Sequence, residues 1–359
     1  MKINVGIIGL GEVAQLIHLP ILSDLKDRYR IKAVADISPS LNEFIVNKYN
    51  ILNSYLSPTE IIQDPEIDAV FVLSPDQHHF ECVQESIKHG KHVFVEKPAT
   101  LNIQQLKELV EIEESCPHQI TMVGYMRRYA GSFLHAKELM QVSPKKTEYL
   151  RFRDIICEGP FFIAQTRPVF SPADIPAVLI KESNNRRIKQ LDCALGPDTT
   201  TEQRTAYQML TGLGCHSFSA VRELFGPPIS VKTATASHLG ELLIIVLEYD
   251  GFLATYELVN NQEIVQFDAA IEIYQRDRRL KINYETPYVR YQSSTLEVAE
   301  YTEGKAQTTI YGPDYRDPFA NEILEFYDCI ASNRKPKTSL QDSLEDLKLF
   351  QKIIKTLKK

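Results

Sequence analysis

Gly9-Leu10-Gly11-Glu12-Val13-Ala14 lies between an apolar run, residues 3–10, and the start of a helical pattern. Residue types at this spacing suit a pyrophosphate. Gly9 permits a tight turn and Gly11 lets the backbone approach the phosphates. Glu12 and Val13 open a helix whose N–H groups and dipole attract negative charge, and Ala14 lets that helix pack closely. Asp36 ends the next apolar run, where a carboxylate accepts both hydroxyls of an adenosine ribose. That favours NAD as the cofactor, with NADP possible.

Three further groups carry residue types able to move protons or hold charge. Glu96-Lys97-Pro98 ends an apolar run. A lysine desolvated beside a nicotinamide can bond the substrate oxygen and hold or relay its proton, with Glu96 orienting it; the plainer alternative is a partly exposed Lys–Glu pair. His216 follows Gly212-Leu213-Gly214-Cys215 and opens a helical stretch. Imidazole titrates near neutrality and suits a base that takes a hydroxyl proton as hydride leaves carbon; taken alone, the pattern favours the plainer alternative, a packed structural histidine. Asp76, His78 and His79 follow another apolar run, which ends in Ser74-Pro75, and are placed to contact a cofactor; an Asp cap with a solvated histidine pair is the alternative. Arg127, Arg128 and Arg167 could bind a carboxylate or phosphate on a substrate, and surface salt bridges are the alternative for at least two of them.

These groups need elements to hold them. Residues 3–10, 31–37, 68–74, 92–98 and 119–125 read as aliphatic, β-branched strands without alternation, as in a parallel sheet buried on both faces with helices between the strands. Ser57-Pro58-Thr59-Glu60 predicts a capped helix start. After about residue 150 the strands alternate, and Asp250-Gly251 inside LLIIVLEYDGFLATYELV predicts a two-residue type I′ hairpin turn and an antiparallel sheet. Residues 161–205, with prolines and the polar run KESNNRRIKQ, read as an insertion with little regular structure. Asp317-Pro318, and Ser339 with Asp342, predict the starts of two closing helices, the first with Phe319, Ile323, Phe326 and Ile330 on one face. The expected organisation is α/β: a cofactor-binding Rossmann domain over 1–125, then a substrate and oligomerisation domain over 126–359 built on a large, mainly antiparallel open sheet.

The 359 residues suffice for two cores, and 43% hydrophobic with 24% charged residues is the composition of a folded chain. No apolar run reaches membrane-span length, and the N-terminal residues lack a signal-peptide cleavage pattern, so a cytoplasmic protein is expected. A net charge of −7 argues against nucleic acid, because the basic spots Arg127-Arg128, Arg186-Arg187 and Lys358-Lys359 are small and read as solvated. Six scattered cysteines without a CxxC pair imply no metal site and read as reduced and mostly buried.

With GLGEVA, SPDQHHFECVQESIKHGKHVFVEKP and MVGYMRRY in order, and a closing DPFANEILEFYDCIASNRKPKTSLQDSLEDLKLFQKII, the chain resembles the glucose-fructose oxidoreductase and inositol dehydrogenase family, Gfo/Idh/MocA. The resemblance implies a Rossmann domain followed by an open sheet domain whose exposed face often builds homodimers or homotetramers. It implies a nicotinamide-dependent dehydrogenase for a sugar, cyclitol or related polyol, with Lys97 and His216 as the catalytic pair and Tyr125 and Arg128 bordering the substrate. This sequence departs from the family in three places. Gly212 stands where an aspartate commonly precedes the histidine, Ser219 where a second acid follows it, and QRDRR replaces the usual hairpin glycines after IEIY. Two alternatives follow: a cofactor-binding regulator that has lost turnover, and a dehydrogenase for an anionic sugar derivative.

Overall fold

The protein's structure, a computed structural model, describes residues 1–157, 159–166, 168–261, 266–290 and 292–357. It divides into two units. The first comprises Met1–Gly124, Arg167–Pro197 and Glu322–Leu347, and the second Tyr125–Thr166, Asp198–Asn321 and Lys348–Lys359.

In the first unit, β1 (Ile3–Ile8), β2 (Tyr29–Ala35), β3 (Asn53–Tyr55), β4 (Ala69–Val72), β5 (His92–Glu96) and β6 (Thr121–Gly124) form a parallel sheet in the order β3-β2-β1-β4-β5-β6. The crossovers are α1 (Leu19–Asp24), α2 (Pro39–Tyr49), α3 (Pro58–Gln63), α4 (His79–Lys88) and α5 (Ile103–Ser115). All four residues of β4, and Val93, Phe94 and Val95 of β5, have no exposed surface, which is why these strands carry aliphatic runs rather than alternation. Phe71 and Phe94 stack at 5.0 Å across the sheet. The Ser57 hydroxyl accepts the Thr59 N–H at 3.1 Å, the predicted cap. β3 is too short to have shown a period.

The second unit carries α6 (Gly131–Val142), β7 (Thr147–Ile156) and α7 (Gly159–Thr166). The region read as irregular is largely helical: besides α7 it contains α8 (Ala177–Leu195), which belongs to the first unit, and α9 (Thr201–Met209). The reading failed at α8 for a physical reason. Only Gln190 and Leu191 of α8 are buried, so there is no apolar stripe to detect. Polar bonds hold it instead: Ser183 with Gln77 and His78, Arg187 with Asp76, and Gln190 with the Gln77 carbonyl. α9 starts with a Thr200–Gln203 capping box.

After α10 (Cys215–Phe225) come β8 (Ser230–Ser237), β9 (Leu242–Tyr249), β10 (Phe252–Asn260), β11 (Asp268–Gln275), β12 (Arg278–Tyr284), β13 (Ser294–Thr302) and β14 (Lys305–Asp314). With β7 they form an eight-stranded sheet, β14-β13-β12-β11-β7-β10-β9-β8, antiparallel except for the β7–β10 pair. Phe152 of β7 and Tyr256 of β10 pack on Phe218 of α10 at 5.1 and 4.6 Å.

The Asp250-Gly251 loop does join β9 to β10, with Tyr249 opposite Phe252. It is not type I′, because of the two turn residues only Gly251 (φ +80) has positive φ. Asp250 keeps the negative φ preferred by an L-residue, as in a type II turn. The glycine-free β11–β12 turn is closed by side chains, Arg278 donating to Gln275 at 2.7 Å and to the Ser143 carbonyl at 2.8 Å. α11 (Pro318–Ser332) and α12 (Leu340–Thr356) end the chain, their starts capped by Asp317 on the Phe319 N–H and Ser339 on the Asp342 N–H. Among the described residues no helix is long and apolar enough to cross a membrane.

Candidate functional site

The turn after β1 shows why its glycines are needed. Gly9 has φ +90, and a Cβ there would stand 2.5 Å from the Ser74 nitrogen, so the ends of β1 and β4 meet backbone to backbone. At Gly11 a Cβ would meet nothing within 4 Å. Packing within the chain does not demand that glycine; it leaves open room beside the main-chain N–H groups at a helix start. Exposed Glu12 and half-buried Val13 begin the helical segment, which passes through a π-helical turn at Ala14–His18. The Asp36 carboxylate accepts the Leu10 N–H at 2.9 Å and the Ser38 N–H at 3.0 Å. This fixes an anionic acceptor at the tip of β2, beside the glycine turn. Cradle and donor set fit a dinucleotide.

His79 is buried, with ring nitrogens 2.7 Å from the Ser74 carbonyl and 2.8 Å from the Pro98 carbonyl. It ties the C-terminal ends of β4 and β5 together, with both nitrogens engaged by the backbone. Ser74 is half-buried and Pro75 exposed at the same edge. Asp76 pairs with Arg187, and His78 lies 2.9 Å from the Ser183 hydroxyl, so neither is simply solvated. Burial, then the Arg186 charge, pushes the His78 pKa down.

Lys97 follows β5 directly and is half-buried. Glu96 turns one oxygen back to the Lys97 backbone N–H at 3.2 Å and gives the other to His18 at 2.8 Å. Burial would push the Glu96 carboxyl up; the His18 hydrogen bond and the nearby Lys97 ammonium outweigh it and hold the pKa below its ordinary value. His18 has no exposed surface and lies edge-on to Phe71 and Phe94 at 5.9 and 5.3 Å. Sequence reasoning missed it. The available signal was Gln15 and His18, two polar residues on an otherwise apolar stretch after the glycine turn.

In the second unit His216 is the second residue of α10 and is 8% exposed. Tyr125, Arg127 and Arg128 are buried on the 125–130 segment, which corrects the reading of the two arginines as surface salt bridges. Arg127 donates to Asp154 at 2.5 Å and to the Ser217 hydroxyl at 2.6 Å, and Tyr256 donates to the other Asp154 oxygen at 2.8 Å. Burial opposes the Arg127 charge, but Asp154 outweighs it and the pKa is raised. Arg128 pairs with Glu223 of α10 at 2.5 Å, and Lys137 takes the other Glu223 oxygen. The start and the last turn of the His216 helix are thus pinned by buried charge. Arg167 and the Lys358-Lys359 pair lie outside the described residues. The basic Arg186 and Arg187 pair with Glu81 and Asp76. All six cysteines are free, four of them buried.

Ser219 donates to the His216 carbonyl at 3.1 Å, a helix bond rather than an acid. Gly212 is exposed, and a Cβ there meets nothing within 4 Å. Gly212→Asp is therefore expected to fold normally, with stability unchanged or raised by about 0.3 kcal/mol from helix propensity. If the missing acid limits a His216 relay, this variant will also turn over faster; thermal melts and steady-state rates check the two claims.

The family model described as oxidoreductase family, NAD-binding Rossmann fold (GFO_IDH_MocA) matches residues 3–125. The chain is 22% identical to the uncharacterized oxidoreductase YrbE of Bacillus subtilis over 358 residues, 96% of this chain and 91% of that protein. It is 33% identical to the myo-inositol 2-dehydrogenase of Thermotoga maritima over 138 residues, 38% of this chain and 40% of the relative. The 3-ketoreductase KijD10 of Actinomadura kijaniata, solved with TDP-benzene and NADP, shares the fold at a TM-score of 0.74 and 17% identity, covering 100% of this chain and 98% of that one. Residues 3–125 thus match the NAD-binding Rossmann-fold model of the Gfo/Idh/MocA oxidoreductase family, and the chain as a whole shares its fold with the solved neighbour.

Proposed function

We propose that this is a cytoplasmic, NAD-dependent dehydrogenase that interconverts a secondary alcohol and a ketone on a sugar, cyclitol or related polyol. The observation that carries the reading is the open glycine cradle bonded to Asp36, with Lys97 following β5, two strands from β1 in the same sheet. Gly9, Gly11, Glu12, Val13, Asp36, Ser74 and Pro75 hold the dinucleotide, while His79 and Glu96 position the loops around it. The bound nicotinamide supplies the hydride chemistry. Lys97 bonds the substrate oxygen, and Lys97 and His216 hold and move the hydroxyl proton. Tyr125 and Arg128 border the substrate, Arg128 acting through its Glu223 pair rather than as an anion clamp. The relatives named as inositol dehydrogenases, each matched over 38% of this chain, support the substrate class. The outward face of the eight-stranded sheet, with Ile244 and Leu253 half exposed, is the surface for a homodimer or homotetramer.

The test is NAD reduction, followed by absorbance, across a panel of inositols, aldoses, sugar acids and sugar phosphates. Saturable turnover with a neutral polyol is expected. Silence across the panel with NADH still bound would instead favour the regulatory reading, which the bare, exposed Gly212 supports.

A further inference from the structure

Residues 168–176, leading into α8, are fastened to the edge of the first unit that carries the glycine turn. Buried Gln15 donates to the Phe170 carbonyl at 3.0 Å and accepts the Phe170 N–H at 2.9 Å, and the same amide donates to the Leu10 carbonyl in the glycine turn at 3.0 Å. The Phe170 ring stacks on Phe44 of α2 at 4.8 Å. Asp174 accepts the Ser38 hydroxyl at 2.5 Å and the Ser40 N–H at 2.8 Å. Ser38 is thus shared by two carboxylates: its N–H bonds Asp36 and its hydroxyl bonds Asp174.

We infer that Asp174 is a second determinant of cofactor choice, acting with Asp36 to disfavour a ribose that carries a 2′-phosphate and so to select NAD over NADP. The inference rests on Asp36 being the ribose ligand. A 2′-phosphate would bring a charge of about −1.5 to −2 to the tip of β2. It would need donors there, and the Leu10, Ser38 and Ser40 N–H groups and the Ser38 hydroxyl are all taken by the two carboxylates. A neutral 2′-hydroxyl needs only an acceptor. The Ser38 hydroxyl and the Ser40 N–H hold the Asp174 pKa below the usual carboxylate range, so the group is anionic at neutral pH. Asp174 is exposed, and its effect on a ligand is open to screening by salt.

The experiment is fluorescence titration of the full-length chain with NADH and NADPH, comparing wild type, Asp174→Asn, Asp174→Glu and Asp36→Asn. The Kd ratio of NADPH to NADH is expected to fall about five- to tenfold in Asp174→Asn, chiefly through tighter NADPH binding, and the change should shrink as salt is raised. Asp174→Glu, which keeps the charge, should leave the ratio near wild type. A ratio within twofold of wild type in Asp174→Asn, with Asp36→Asn lowering it, would reduce Asp174 to an anchor of its segment and overturn the inference. Parallel loss of both affinities in Asp174→Asn would do the same. No change in either variant would overturn the Asp36 reading itself, and the inference with it.

Discussion

Replacing Lys97 by methionine is expected to lower kcat for the polyol by about 10²- to 10⁴-fold, the usual contribution of a positioned proton-transfer group, while NADH binding changes by no more than a few-fold. Methionine keeps the apolar stem of this half-buried side chain and removes only the ammonium. Glu96 keeps its bonds to the Lys97 backbone N–H and to His18 in this variant and loses only the nearby ammonium. A second variant sharpens the test. If His216 and Lys97 serve one proton, His216→Ala should cost a similar factor, and the double variant should cost little more than the worse single one, because residues that act as a unit are non-additive. Single-turnover rates and NADH titrations read these effects separately. Turnover within tenfold of wild type in Lys97→Met would remove the lysine from the chemistry, and loss of NADH binding would make it a cofactor ligand instead.

Asp154→Ala is expected to cost about 3–5 kcal/mol, because it leaves Arg127 charged and buried without its carboxylate. Arg127 is 3% exposed and Asp154 and Tyr256 not at all, so solvent cannot replace the lost partner. Tyr256 loses its acceptor as well; burial, then Asp154, raises its pKa well above the ordinary value, so it remains a donor. In a melting experiment this corresponds to a drop on the order of 10 °C. The double variant Arg127→Met with Asp154→Leu should recover much of the loss, since apolar side chains can replace a buried pair at little cost. A drop of less than about 1 kcal/mol in Asp154→Ala would show that the cluster is weakly coupled. Because Arg127 also donates to Ser217, next to His216, kcat should fall in whatever fraction of Asp154→Ala stays folded.

What the amino-acid sequence determined by itself is what local chemistry encodes. The unalternating aliphatic runs of β1, β2, β4, β5 and β6 required a sheet covered on both faces. The Ser57, Asp317 and Ser339 caps marked helix starts through bonds two or three residues along the chain. The spacing of Gly9 and Gly11, with Asp36 after the next strand, announced a tight turn with an acid held beside it. Each of these depends on neighbours within one turn or one strand. What only the tertiary structure decided is where side chains find partners far along the chain. α8 reads as loop because its anchors on Asp76, Gln77 and His78 are polar and lie more than a hundred positions away. Arg127 and Arg128 read as surface charges until the fold brings Asp154 and Glu223 against them, and His18 gains a role only when Glu96 meets it. Asp174 carries no signal beside Asp36 until folding sets both carboxylates on Ser38. A charge is buried only where its counter-charge is delivered, and periodicity along the chain holds no record of which residue delivers it.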